Sequence, residues 1–283
     1  LWIRVGSLSF QPVEVAKLAL AIFFASYLVE KRELLAIATV RRGDHLFPDL
    51  RPFGPLVVAW GLAMVIMAAE RDVGFSLLIF VLFMSMLWVA TGRALYLVVG
   101  AVLFGLGAVV AAHFLPQVHE RIAVWLDPWK YANTTGYQIV QAQYALGTGS
   151  VAGTGIGLGH PNAIPIVTSD FIFAGIGEEL GLAGTVTIVV AFLALVGSGL
   201  RAAMQARSDY AKLLATGLSA ILGFESFFIM AGVTRLLPLS GLALPFVAYG
   251  GSSLLANYVL IAILMRISTE RPVSAPTPPK LRR

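Results

Sequence analysis

The sequence predicts an all-α polytopic membrane protein, because its composition, the length of its apolar runs and the distribution of its charges agree. Hydrophobic residues make up 58% of the 283 residues and charged residues only 12%, and the mean hydropathy is +0.84. Soluble domains are about half apolar and about one quarter charged. The apolar runs lack the alternating pattern of a membrane β-barrel, and about 20 apolar residues cross the hydrocarbon core as a helix.

Seven apolar runs are long enough to cross the membrane with some tilt. The predicted spans cover 12–31, 53–70, 74–91, 95–115, 171–199, 211–233 and 246–267. Lys and Arg collect in the connections after the first, third and fifth spans and in the tail after the seventh, all on one side if the helices alternate. The positive-inside rule makes that side the cytoplasm. The net charge of +5 therefore reflects topology, and we expect no nucleic-acid partner.

The same rule places the C-terminus in the cytoplasm and four segments outside, namely 1–11, 71–73, 116–170 and 234–245. The 116–170 loop is long, and loops of that length are uncommon unless functional. Its Gly-rich stretch, 147–159, permits close approach to a ligand or another segment, or forms a flexible hairpin packed on the bundle. It completes neither a dinucleotide-binding fingerprint nor a P-loop.

The chain is expected to form one membrane domain over 1–270, followed by a Pro-rich, disordered cytoplasmic tail over 271–283. It opens at Leu1 with neither Met nor a signal-peptide pattern, so we expect it to be part of a longer protein. The 283 residues contain no cysteine, which excludes disulfides and thiolate catalysis within them.

Three carboxylates, Asp170, Glu178 and Glu179, stand at the mouth of the fifth predicted span or inside it. Ionisable residues placed there are costly and therefore usually functional. Asp170 is a helix N-cap or a chemical group, and the two roles can coexist. Glu178 and Glu179 lie about 12 Å deeper. We interpret them as structural, tied to Arg or backbone groups where Gly177 and Gly181 allow close packing.

Other ionisable residues interrupt the first and sixth spans. Glu14 and Lys17 form an i, i+3 pair on one helix face. Such a pair more often stabilises a bundle or lines a polar cavity than performs catalysis. Glu225 is a similar buried polar residue for which the sequence indicates no local partner.

Two prolines and Gly-Gly-Ser-Ser interrupt the apolar pattern between 232 and 257, which predicts broken or re-entrant backbone before the last helix. Arg235 in this segment meets an anionic group such as phosphate, or pairs with Glu178 or Glu179. The four histidines are scattered without a ligand spacing, so no metal site is predicted.

Several motifs follow one another along the chain in a recognisable order. They are Gln-Pro-Val-Glu-x-x-Lys at 11–17, Asp-Val-Gly at 72–74, Asp-Pro and Gly-Tyr-Gln within 127–138, Ser-Asp-Phe-Ile-Phe-Ala with Gly-Glu-Glu at 169–181, and Pro-x-Ser-Gly to Tyr-Gly-Gly-Ser-Ser at 238–253. With them, nearly all of 1–270 resembles the SEDS proteins, the RodA/FtsW/SpoVE family of peptidoglycan glycosyltransferases. The Gly-Gly-Ser-Ser-Leu-Leu-Ala-Asn ending favours a RodA-like member.

The chain departs from the family pattern at several positions. These are Val13 for Ser, Phe75 for Thr, Ala142 for Ser, Ser150 for Gly, Ser169 and Ser240 for Thr, and Ala248 for Ser. Family members have ten helices, so the chain resembles the last seven, with the N-terminal helices missing.

The resemblance implies an inverting glycosyltransferase that polymerises lipid II at the outer face of the bacterial cytoplasmic membrane, in cell elongation, division and shape control. Asp170 matches the family's essential carboxylate, which suits a general base with undecaprenyl pyrophosphate as leaving group. The implied substrate-binding or supporting residues are Glu14, Lys17, Gln138, Arg235, Ser252 and Ser253. The implied partners are a class B penicillin-binding protein and other elongasome or divisome membrane proteins. The resemblance fixes no cofactor and leaves room for a divalent cation.

A lipid II flippase or other transporter is the alternative, since intramembrane carboxylates and broken helices suit transport as well. A transporter needs polar residues that continue into the cytoplasmic half, whereas the matched polar motifs gather at the outer face. A purely structural scaffold would leave Asp170 without a role.

Overall fold

The computed structural model describes residues 3–5, 8–37, 39–42, 45–48 and 73–270, and these are predominantly α-helical. The helices are α1 (Pro12–Ile37), α2 (Val73–Thr91), α3 (Ala94–Phe114), α4 (Pro116–Leu126), α5 (Tyr137–Gly149), α6 (Ile172–Met204), α7 (Asp209–Val233) and α8 (Gly251–Thr269). Short 3-10 helices occupy Pro128–Tyr131 and Pro161–Ala163.

Two small antiparallel hairpins flank α1, and the sequence did not predict them. Strands β1 (Ile3–Val5) and β2 (Leu8–Phe10) pair before the helix, and β3 (Thr39–Arg42) and β4 (His45–Pro48) pair after it. Strands of three or four residues add little to the architecture, which remains that of a helical membrane protein.

Five of the described helices, α1, α2, α6, α7 and α8, are long and apolar enough to cross a membrane. A further helix, α3, forms where the fourth span was predicted. The predicted span at 53–70 and the predicted disordered tail at 271–283 lie outside the described residues. The chain is therefore a multi-pass membrane protein.

Helix α7 is the centre of the bundle and packs against α1, α2, α6 and α8. Within its apolar span 72% of the residues are buried, against 17% for α6, so α6 runs along the outside of the described bundle. Small residues let the helices approach each other closely. A Cβ on Gly217 would lie 2.7 Å from Met86 Sδ of α2, and one on Gly199 of α6 would overlap Ser219 Oγ of α7.

The predicted 116–170 loop is largely structured. Helix α4 begins with Pro116, where a missing N–H costs nothing. The Asp127 carboxylate accepts the Lys130 N–H at 3.3 Å and opens the first 3-10 helix. Helix α5 and the Gly-rich stretch then pack on α6.

The Gly-rich stretch, 147–159, approaches another segment of the chain closely, which was one of the alternatives predicted for it. A Cβ on Gly149 would overlap the Gly177 carbonyl oxygen, and one on Gly153 would overlap the Glu179 carbonyl oxygen. At the contact Gly181 has φ +64° and ψ −157°, which breaks the regular helix inside α6. Only glycine adopts this conformation without strain, so the kink that admits the loop depends on Gly181.

The chain between α7 and α8 is non-helical, as predicted. The last helix begins at Gly251, so the predicted start at 246 is wrong by five residues. Pro245 and the left-handed backbone of Phe246, with φ +64°, keep this part of the chain out of the helix. We call residues 234–250 the broken segment.

Candidate functional site

Asp170 lies in the turn just before α6 and is half-buried. Ser169 Oγ donates a hydrogen bond to Asp170 Oδ1 at 3.0 Å. The helix begins two residues later than the aspartate, with Phe171 at the N-cap position and its carbonyl accepting the Ala174 N–H at 2.9 Å. Asp170 is therefore outside the N-cap position, and its interpretation as the N-cap is wrong.

The turn that carries Asp170 is tied to the broken segment. The Tyr249 N–H donates to the Thr168 carbonyl at 2.8 Å. Thr168 lies two residues before Asp170, and Tyr249 lies directly before the Gly-Gly-Ser-Ser motif. Hydrogen bonds thus place the fourth and fifth sequence motifs side by side.

The first and last sequence motifs also meet. Ser252 Oγ accepts the Gln11 N–H at 3.1 Å, which joins the start of α1 to the start of α8. One residue further, Ser253 Oγ accepts Asn257 Nδ2 at 3.2 Å inside the bundle. Both serines are buried, and their hydroxyls accept hydrogen bonds from the protein itself.

Lys17 is completely buried between two glutamates. Its Nζ lies 2.9 Å from both carboxylate oxygens of Glu225 and 2.7 Å from Glu14 Oε2. The contact with Glu14 is a buried ion pair between residues three positions apart on α1. The exposed fractions are 0% for Lys17 and Glu225 and 2% for Glu14. We call these three residues the charged triad.

The charged triad follows from helix periodicity. Lys17 belongs to the stripe that continues through Ala21 and Phe24 on α1, and every member is fully buried. Glu225 lies on the corresponding buried stripe of α7. Packing the two stripes together brings the three charges into contact, which supplies the partner that the sequence did not reveal for Glu225.

Glu178 and Glu179 hold the Gly-rich stretch through backbone groups. Glu178 Oε1 accepts the His160 N–H at 2.9 Å, and Glu179 Oε1 accepts the Gly157 N–H at 3.1 Å. Glu178 is buried, and its second carboxylate oxygen has no hydrogen-bond partner in the described part of the chain. This geometry corresponds to the structural interpretation with backbone partners.

Arg235 is part of a reciprocal set of hydrogen bonds between α4 and the broken segment. Its Nε donates to the Trp125 carbonyl at 2.9 Å and its Nη2 to the Leu126 carbonyl at 2.7 Å. Trp125 Nε1 donates back to the Arg235 carbonyl at 3.1 Å. Arg121 Nη1 donates to the carbonyls of Leu239 and Ser240 at 3.1 and 3.0 Å. We call these contacts the arginine clamp.

The clamp corrects one expectation and adds two residues. Arg235 is hydrogen-bonded to carbonyls of α4, so the alternative in which it pairs with Glu178 or Glu179 is wrong. Arg121 and Trp125 were not among the predicted site residues, although their i, i+4 spacing on a short helix places them on one face. Gln138 lies half-buried in the first turn of α5. No group of three or more potential metal ligands occurs among the described residues.

A family model described as cell cycle protein, covering FtsW, RodA and SpoVE, matches residues 1–272. The chain belongs to this family. The peptidoglycan glycosyltransferase RodA of Mycobacterium tuberculosis H37Rv is 44% identical over 272 residues, which are 95% of this chain and 57% of that protein. A probable peptidoglycan glycosyltransferase FtsW of Geobacter sp. M18 is 36% identical over 271 residues, covering 95% of this chain and 71% of the relative.

Solved structures share the family fold. A chain from a peptidoglycan synthase complex, studied for the structural coordination of polymerization and crosslinking, has a TM-score of 0.74 and 24% identity, over 96% of this chain and 74% of that one. The RodA crystal structure from Thermus thermophilus has a TM-score of 0.63 and 22% identity, over 96% and 70%. The present chain spans only 57% of the length of the mycobacterial relative.

Proposed function

We propose that the chain is the membrane core of a peptidoglycan glycosyltransferase that polymerises lipid II, with Asp170 as the general base. The observation that carries the proposal is the position of Asp170, half-buried in a turn hydrogen-bonded to the segment that leads into the Gly-Gly-Ser-Ser motif. Family membership and the 44% identical relative named peptidoglycan glycosyltransferase RodA support it.

In the proposed reaction the acceptor sugar 4-hydroxyl attacks the anomeric carbon of the donor. Asp170 takes the hydroxyl proton while the bond from that carbon to undecaprenyl pyrophosphate breaks, with inversion. The Ser169 hydroxyl orients the carboxylate through its 3.0 Å hydrogen bond.

The other site residues are proposed to support this centre. Lys17 has its charge occupied by two glutamates, so it fixes α1 against α7. Ser252 ties the start of α1 to α8 through its 3.1 Å bond. Arg235 orients the end of α4 beside the broken segment. These contacts would hold Asp170 in place without touching the reacting atoms.

We further propose that the reaction takes place at the outer face of the bacterial cytoplasmic membrane, with the C-terminus in the cytoplasm. The distribution of Lys and Arg supports this orientation. The relative found in a peptidoglycan synthase complex supports a class B penicillin-binding protein as partner, together with other elongasome or divisome membrane proteins.

The test is glycan-chain formation from labelled lipid II by the full-length protein with its partner, comparing wild type with Asp170→Asn. The expected result is polymer from wild type and none from the variant, with lipid II binding retained. Asp209→Asn, the same chemical change at the opposite end of α7 from the clamp, is the control and should polymerise normally.

The transporter alternative is favoured by one observation, the charged triad inside the membrane spans. Wild type that makes no polymer while proteoliposomes move lipid II across the bilayer would establish transport and remove Asp170 from catalysis. A variant Asp170→Asn that polymerises at the wild-type rate would also overturn the proposed role of Asp170.

A further inference from the structure

A depression of about 390 Å³ lies where the end of α4 meets the broken segment. It is lined by Trp125, Leu126, Gln143, Thr234 and Arg235. It is an open depression on the surface rather than an enclosed cavity, so a ligand there would stay partly exposed to solvent. Asp170 is not among the lining residues, so the depression is distinct from the turn that carries the proposed base.

The arginine clamp leaves part of Arg235 available. The guanidinium uses Nε and Nη2 on two carbonyls, and Nη1 forms no hydrogen bond within the described part of the chain. Among the described residues, no carboxylate forms an ion pair with Arg235. Carbonyls orient a guanidinium but carry no formal charge, so a positive charge remains at the depression.

The remaining lining groups suit a sugar-linked ligand. Gln143 donates one amide hydrogen to the Val233 carbonyl at 3.0 Å, which leaves its side-chain oxygen and second hydrogen for a hydroxyl or amide. Thr234 is exposed, and its hydroxyl donates to the helix, which leaves an oxygen that accepts. The unused Nη1 of Arg235 can donate to a carboxylate or phosphate oxygen, and the neighbouring amide and hydroxyl groups can form hydrogen bonds with the hydroxyls of a sugar.

We propose that this depression is a subsite for the growing glycan strand, in which Arg235 binds a carboxylate of a stem peptide beside the sugar. The inference rests on the proposed polymerase function, and it adds a binding site for the glycan product that is separate from Asp170. The single Arg among the described lining residues can pair with one carboxylate, whereas pyrophosphate gathers more than one negative charge at one place, which one guanidinium does not neutralise.

The test uses the full-length protein with its partner and measures binding of a two-unit, uncrosslinked glycan–peptide fragment. The matched ligand is the same fragment with its carboxylates converted to methyl esters. The matched variants are Leu126→Glu and Leu126→Gln, because Leu126 is 63% exposed and neither change disturbs a packed core.

We expect Leu126→Glu to weaken binding of the charged fragment about tenfold or more, because a carboxylate there repels the ligand and neutralises Arg235. Leu126→Gln should stay within about twofold of wild type, and the esterified fragment should bind weakly to all three proteins. Leu126→Glu should also release shorter strands, because weaker product binding speeds dissociation.

Equal binding of the charged fragment to wild type and Leu126→Glu would overturn the subsite, as would equal binding of charged and esterified fragments. Binding of inorganic pyrophosphate or of anionic vesicles that depends on Arg235, without fragment binding, would assign the depression to another ligand. Repeating the measurement on Asp170→Asn separates the two proposals, because the subsite should bind although catalysis is lost. If the polymerase proposal fails while the subsite proposal holds, the fragment still binds but wild type makes no polymer in the lipid II assay.

Discussion

At the scale of residues, Lys17 is a fully buried charge that joins two helices of the bundle. Lys17 lies between the carboxylates of Glu14 and Glu225, and none of the three residues is more than 2% exposed. Burying ions is costly, and removing one partner of a buried ion pair leaves an uncompensated charge. The three charges sum to one negative charge, so the consequence of a substitution depends on which charge is removed.

We predict that Lys17→Met destabilises the protein by about 3–5 kcal/mol, because two buried carboxylates would then face each other. Glu14→Gln should cost less than about 1 kcal/mol, because it leaves Lys17 paired with Glu225 through two hydrogen bonds. Unfolding in detergent, followed by tryptophan fluorescence, measures both. A Glu14→Gln loss as large as that of Lys17→Met would contradict this description of the triad.

Ser169 gives a second prediction at this scale. Ser169→Ala should lower the lipid II polymerisation rate about fivefold, because losing a hydrogen bond worth about 1 kcal/mol leaves the Asp170 carboxylate less well oriented. Ser169→Thr, which restores the family's residue and keeps the hydroxyl, should stay within about twofold. Initial rates decide the matter, and an unchanged melting temperature in Ser169→Ala would show that the loss is not unfolding.

At the scale of elements, the contact between α5 and α6 depends on backbone proximity. The Leu182 N–H donates to the Ser150 carbonyl at 3.0 Å, and the Thr154 N–H donates to the Glu178 carbonyl at 2.9 Å. These bonds satisfy polar groups exposed by the Gly181 kink. The Gly-rich stretch is therefore part of the helix packing, and it holds α6 at 178–182, about two to three turns after Asp170.

Two glycines of α5 provide a matched test of this packing. Gly149→Ala should destabilise by about 2 kcal/mol, because its Cβ would overlap the Gly177 carbonyl oxygen and lie 2.8 Å from Glu178 Cα. Gly147→Ala meets nothing within 4 Å, so it should be neutral or stabilise by up to about 1 kcal/mol. Thermal unfolding compares the two variants, and equal effects would mean that α5 and α6 are not packed as described.

At the scale of the whole molecule, the absence of cysteine from the 283 residues makes the membrane topology directly testable. Leu158→Cys, in the Gly-rich stretch, should react with an impermeant maleimide from outside the cell. Gln205→Cys, at the end of α6, should react only after permeabilisation, because the 33 residues of α6 cross the membrane between the two sites. Labelling of both residues from the same side would contradict the proposed orientation.

The whole molecule also explains how motifs far apart in sequence come into contact. Residue 11 meets residue 252, and residue 168 meets residue 249, through hydrogen bonds. Helix α7, the most buried of the described candidate spans, packs against α1, α6 and α8, the helices that begin near these contacts. A polytopic bundle brings together the ends of its helices on each side of the membrane, so a surface site draws residues from several connections.

The sequence by itself determined the membrane class, most helix positions and the broken segment. Crossing a hydrocarbon layer demands long apolar helices, and prolines and glycines interrupt them at fixed places. The charge distribution likewise predicted the orientation that remains to be tested. Helix positions and their interruptions are local properties, and each can be inferred from about 20 neighbouring residues.

Only the tertiary structure decided which residues are partners. Glu225 and Lys17 are 208 residues apart, and Arg121 and Ser240 are 119 apart. Such pairs depend on which helix faces meet, and a single sequence does not specify helix rotation. The structure likewise placed Phe171 rather than Asp170 at the N-cap position of α6, which begins at Ile172, one residue later than the predicted span. Local preferences set the elements here, whereas long-range packing set the partners of their charges.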